Sequence, residues 1–130
     1  MKSKWNVLSI AVIMSMTMAC KDEVTEVSRA TITFVEPAMG DTLQSGEELH
    51  AEGTVQGNVE LHGYELSFIN LTTGEVLYNG VSETDAQSYS FHEHWINNVS
   101  DTSRVAVEVV VELDHDGNTQ SKRLEVVCLP

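Results

Sequence analysis

The stretch from Arg104 to Cys128 constrains this chain more than any other. Val105, Val107, Val109, Val111 and Leu113 alternate with Ala106, Glu108, Val110 and Glu112. A polar turn, Asp114 to Asn118, follows, and then a second alternating run from Thr119 to Cys128. A period of two places successive side chains on opposite faces of a strand, so the valines belong to a buried face and the glutamates to a wet one. In the second run Leu124, Val126 and Cys128 fall on the apolar phase and Arg123, Glu125 and Val127 on the other. A two-stranded ribbon is marginal in water, so a hairpin this apolar on one side requires an opposing sheet.

The rest of the chain supplies strands for that purpose. Ala30 to Val35 alternates and is broken by Pro37, which cannot donate in a central ladder, so this first strand is expected at a sheet edge. Glu48 to Val55 carries Leu49, Ala51 and Val55 inward, with Gly53 on the same phase marking close packing or a bulge. Tyr64 to Ile69 and Glu75 to Tyr78 flank a Gly-containing turn, and Ser88 to Trp95 places Tyr89, Phe91 and Trp95 on one face. Gln56 to Gly63 and Val81 to Gln87 read as turn-rich or polar connections. The expectation is therefore an all-β domain, a seven-stranded antiparallel β-sandwich over residues 30–130.

The N-terminus reads as an address. Lys2 and Lys4 precede a short apolar run from Trp5 to Met16, and Ala19 precedes Cys20. A run this short between such flanks is a secretory signal, here residues 1–19, and lies outside the fold. If Cys20 becomes an acylated N-terminus, residues 20–29 form a lipidated tether and the membrane is a partner through the lipid. The alternative is an ordinary cleaved signal with a coincidental cysteine. With Cys20 acylated, Cys128 has no partner for a disulfide, and its inward phase makes it a buried structural thiol.

The formal charge is −13, from 7 basic and 20 acidic residues, and cleavage before Cys20 would remove Lys2 and Lys4 but no acid. Such a surface repels phosphate backbones, which excludes nucleic acid as a partner and favours cations. No nucleophile elbow, zinc-protease motif or phosphate-cradling loop occurs, so the expectation is a non-enzyme whose partner is a protein or a glycan.

His92 and His94 are the sharpest chemical feature. Residues at i and i+2 of a strand project from one face, so both imidazoles can reach one ion. If the second and fifth strands pair antiparallel, His50 joins them at the same end of the sheet. That predicts a cluster of His50, His92 and His94 on the solvent face, with Glu52 or Glu93 as oxygen donors, suited to zinc, copper or nickel. The competing reading is a solvated face on which histidine carries no role. His62 and His115 are expected together at the opposite end. Asp114, Asp116 and Asn118 resemble a fragment of a calcium loop, but Gly117 stands at the wrong position and no distal Glu follows, so the segment reads as a hairpin turn.

Glu36, Pro37, Gly40 and Asp41 after a first strand, Gly46 before a second, and Asp116, Gly117 and Asn118 in the last hairpin resemble the turns of bacterial Ig-like and fibronectin-III-like surface domains. Together with Thr17 to Cys20, Leu61 to Tyr64, Trp95 and the terminal Cys128 and Pro130, the chain is similar to small Ig-like lipoproteins of Bacteroidota. Lys21, Asp22 and Glu23 resemble the signal that sends some of those lipoproteins to the outer face of the outer membrane. The resemblance implies an Ig-like sandwich after a lipoprotein signal peptide, anchored at the outer membrane.

Overall fold

A computed structural model describes residues 25–130. The expected signal segment, Cys20 and the first part of the expected tether lie outside the described residues. The valine hairpin forms as its alternation requires. Strands β7 (Ser103–Glu112) and β8 (Thr119–Cys128) pair antiparallel without a break from Ser103 opposite Cys128 to Glu112 opposite Thr119. Val105, Val107, Val109 and Val111 are each fully buried.

The other edge of β7 pairs with β4 (Tyr64–Asn70), which in turn pairs with β5 (Val76–Ser82). The two-residue strand β2 (Thr42–Leu43) adds to β8 in parallel, giving a five-stranded sheet in the order β2-β8-β7-β4-β5. Strands β1 (Ala30–Glu36), β3 (Glu48–Leu61) and β6 (Ala86–Ile96) form the facing three-stranded sheet in the order β1-β3-β6. The molecule is thus an all-β, two-sheet sandwich of the Ig-like kind, with β1 at an edge as Pro37 demands. Among the described residues no helix is long and apolar enough to cross a membrane.

The described residues form eight strands where the sequence predicts seven. The extra one is β2, too short to show a period, and the parallel pairing of Leu43 with Cys128 fixes it. Strand β3 also runs on to Leu61 through a segment read as turns, because the register shift between Gln56 and Leu61 absorbs Gly57 and Asn58 while Leu61 stays buried. Strand β5 extends to Ser82 through Gly80, which faces Leu66 in the ladder.

Between the sheets, Phe68 and Trp95 approach at 6.4 Å and Tyr64 and Phe91 at 6.0 Å between ring centroids. Gly53 is on the inward phase because nothing larger fits. A methyl there would overlap the Thr33 carbonyl oxygen and the Phe91 ring.

The strand order gives the sandwich two unlike ends. The N-terminal segment enters β1 at Ala30, opposite Gly57, where the Arg29 amide donates to Asn58 Oδ1 at 2.7 Å and the Ala30 amide to Gln120 Oε1 at 2.9 Å. The opposite, distal end is bolted by Asn97, whose buried amide donates to the carbonyls of Leu43 (3.2 Å), Gln44 (3.0 Å) and Leu129 (2.9 Å).

Candidate functional site

Strands β3 and β6 are the second and fifth strands of the sequence reading, and their pairing puts His50 directly opposite His94 and Glu52 opposite His92. All three histidines lie on the outward phase, since Leu49, Ala51 and Phe91 occupy the buried one. The ring centroids form a triangle with sides of 5.5 Å (His50 to His92), 6.1 Å (His50 to His94) and 6.2 Å (His92 to His94).

The triangle is not symmetric in its chemistry. His50 Nδ1 and His92 Nε2 are hydrogen-bonded at 3.2 Å, with the two rings only 16° from parallel. The centroid separation is close to that nitrogen distance plus two ring radii, so the rings lie end to end and the nitrogens point at each other. His50 Nε2 points elsewhere, 3.4 Å from Glu48 Oε2, while Glu48 Oε1 lies 3.6 Å from His94 Nε2. Among the described residues no three His, Cys, Asp or Glu side chains stand ready-arranged as a metal centre.

The carboxylate that contacts the histidines is Glu48. Of the two donors expected from sequence, Glu52 lies opposite His92 on the same outward face, whereas Glu93 does not share that face. Glu93 is on the inward phase of β6, next to Phe91 and Trp95, and accepts hydrogen bonds from the hydroxyls of Tyr64 (3.3 Å) and Tyr78 across the sandwich. It is turned away from the histidines, which removes it as a donor to them. The i−2 relation of Glu48 to His50 on one strand was the signal that could have found it.

Glu93 also governs the tyrosines around it. Its hydrogen bond, with burial adding to it, pushes Tyr78 up to about 12. Tyr64 is raised first by burial and then by the charge of Glu93. Tyr89 is pushed up to about 12 by burial and its Tyr64 neighbour, and its hydroxyl donates to the Gly63 carbonyl at 2.8 Å.

Beside the histidine face lies a cleft of about 290 Å³, lined by Glu36, Pro37, Asp41, Leu43, Glu48 and His50 among others. Cleft and histidines share the distal end.

At the end where the chain enters β1, His62 and His115 meet with ring centroids 3.7 Å apart, and His62 Nδ1 is 2.8 Å from Asp85 Oδ1. The pair sits in the connections after β3 and β7, as expected, and the β5–β6 connection adds Asp85 to it. Asp114 accepts from the amides of Asp116 (2.9 Å) and Asn118 (3.2 Å) and from Asn118 Nδ2 (2.8 Å). Those bonds, the one from the Asn118 side chain foremost, hold its carboxyl below the usual range. Its oxygens thus serve the turn, in keeping with a hairpin rather than a calcium loop. Cys128 is buried and free, and burial pushes its thiol up.

No protein-family model matches the chain, and no curated protein does. Among solved structures it is similar to the solution NMR structure of the CARDB domain of a Pyrococcus furiosus protein. That likeness has a TM-score of 0.51 at 11% identity and covers 80% of this chain and 97% of that one. A crystal structure of the same domain, in complex with di-metal ions, matches at a TM-score of 0.46 and 12% identity, over 79% of this chain and 96% of that one. At these identities the likeness speaks to the fold, an Ig-like sandwich, and to nothing else.

Proposed function

We propose that this chain is a non-enzymatic, lipid-anchored accessory module of the outer membrane, which offers its distal end to a protein or glycan partner. One observation carries the reading. The tether enters beside Gly57, whereas the histidine face and the neighbouring cleft lie at the other end of β3. The seven residue-to-residue steps along β3 from Gly57 to His50 span about 23 Å at the usual rise of a strand. An acyl group on Cys20 would hold one end of the sandwich near the bilayer and leave the other free for a partner. The segment around Cys20 and the run Lys21, Asp22, Glu23 support the anchor and the outer-membrane address.

Cell fractionation of wild type and Cys20→Ala tests the anchor. The wild type is expected in the outer-membrane fraction and the variant in a soluble one. Equal distribution of the two would contradict it.

A second reading is favoured by the triangle of His50, His92 and His94: a transition-metal-binding lipoprotein that takes zinc, copper or nickel on this face. Imidazole suits these ions, and the strongly acidic surface would help to retain a cation.

A further inference from the structure

We infer that the ion on this face is held by His50 Nε2, His94 Nε2 and the Glu48 carboxylate, and that His92 is a positioning residue which orients His50. The inference deepens the metal-binding reading and rests on it.

Its starting point is that an imidazole has two nitrogens pointing in different directions, and the structure assigns each nitrogen of His50 a different neighbour. Nδ1 meets His92 Nε2 end to end at 3.2 Å, and Nε2 faces Glu48 Oε2 at 3.4 Å. One ion cannot use both nitrogens of one ring. A metal placed between His50 and His92 would have to replace their hydrogen bond and would leave Glu48 and His94 behind. A metal placed at His50 Nε2 has the Glu48 carboxylate beside it and, through the other carboxylate oxygen, His94 Nε2 at 3.6 Å. Two ligands each about 2.0–2.2 Å from a tetrahedral ion stand about 3.3–3.6 Å apart, so both observed separations match edges of one coordination shell.

Glu48 and His94 are well exposed, with side-chain exposures of 43% and 61%, so the rotations that would close the shell meet little packing resistance. The backbone needs no change, because His50 and His94 are direct partners in the ladder and Glu48 precedes His50 by two residues on the same face.

His92 then has a defined task. A ligating histidine generally uses its second ring nitrogen in a hydrogen bond that fixes tautomer and ring orientation. That role requires the tautomer in which His50 Nδ1–H donates to His92 Nε2, which leaves the lone pair of His50 on Nε2, on the side of Glu48. Two imidazoles and one carboxylate leave the remaining coordination positions to water. The ligand set suits a divalent first-row transition ion and disfavours calcium or magnesium, which prefer oxygen throughout.

The test is zinc titration calorimetry on the mature chain, together with the electron paramagnetic resonance spectrum of its copper(II) complex. Wild type is expected to bind one zinc per chain. His50→Ala and His94→Ala are expected to abolish measurable binding, and Glu48→Gln to weaken it at least tenfold. His92→Ala is expected to weaken binding by about 10–100-fold, the usual cost of losing an orienting partner, and to leave the copper spectrum with two coordinated nitrogens. If wild type shows three coordinated nitrogens and Glu48→Gln binds as tightly as wild type, the three-histidine site stands and the assignment of Glu48 falls. If wild type binds neither ion, the metal-binding reading falls with it. Thermal unfolding of each variant separates loss of ligand from loss of fold.

Discussion

Phe91 of β6 lies over Gly53 of β3, with the Thr33 carbonyl of β1 closing the other side, so the three-stranded sheet is held to its registers by a position where no side chain fits. The histidine face depends on this contact, since His92 and His94 follow Phe91 directly and His50 precedes Gly53 by three residues. Gly53→Ala is expected to destabilise the domain by about 1–3 kcal/mol, the range for overpacking a close-packed site. Chemical denaturation measures it. Wild-type stability in this variant would mean that the sheet yields at no cost.

Asn97 joins the β6–β7 connection to β2 and to the C-terminal segment through three carbonyls. Its side chain is almost wholly buried, so Asn97→Ala removes its hydrogen bonds at the distal end, although the carbonyls of Leu43 and Gln44 keep the amides of Leu129 and Glu47 as donors. The expected loss is about 1–3 kcal/mol in denaturant unfolding, given about 1 kcal/mol for each hydrogen bond lost.

Tyr78 and Tyr89 are both held up to about 12, against an ordinary value of 10.0. A tyrosine whose ionisation lies higher in the folded than in the unfolded state stabilises the fold below the unfolded value and loses that contribution as pH climbs through the folded one. Stability should therefore decline between pH 10 and pH 12. Absorbance titration in the phenolate band should show these two tyrosines ionising late. Glu93→Gln should bring Tyr78 down, because the Glu93 hydrogen bond is the chief cause of its shift, while Tyr89, raised by burial and Tyr64, should move little.

Cys128 sits at the inner end of β8 opposite Ser103, and burial raises its thiol above the ordinary value. Only the thiolate reacts readily, so alkylation of the native domain at neutral pH should be slow, and denaturant should expose one reactive thiol at this position. Prompt labelling of the folded protein would contradict the inward placement of that side chain.

Much of the sandwich was legible because alternation survives wherever one face is dry. Every apolar position read in the Arg104 to Cys128 hairpin as inward is buried, and the antiparallel pairing of the strands around His50 and His94 is the one an Ig-like topology implies. The two-residue strand at Thr42 and Leu43 was not legible, since two residues carry no period and its pairing depends on a partner 85 residues away. Glycines at 57 and 80 concealed the extent of β3 and β5, because a residue that punctuates turns also serves where neighbours press close. At the histidine face the register was readable from sequence but the donors were not. The alternation marks the face that Glu48 shares with His50, but the contacts of its carboxylate with both His50 and His94 depend on side-chain rotations that alternation does not encode.

The account as a whole turns on an acylated cysteine holding the tether end at a membrane. Mass spectrometry of the N-terminal peptide of the protein extracted from cell membranes measures this directly. The account predicts a peptide that begins at Cys20 and carries fatty acyl mass on that residue. A mature terminus with an unmodified Cys20 thiol, or a chain cleaved elsewhere, would contradict it.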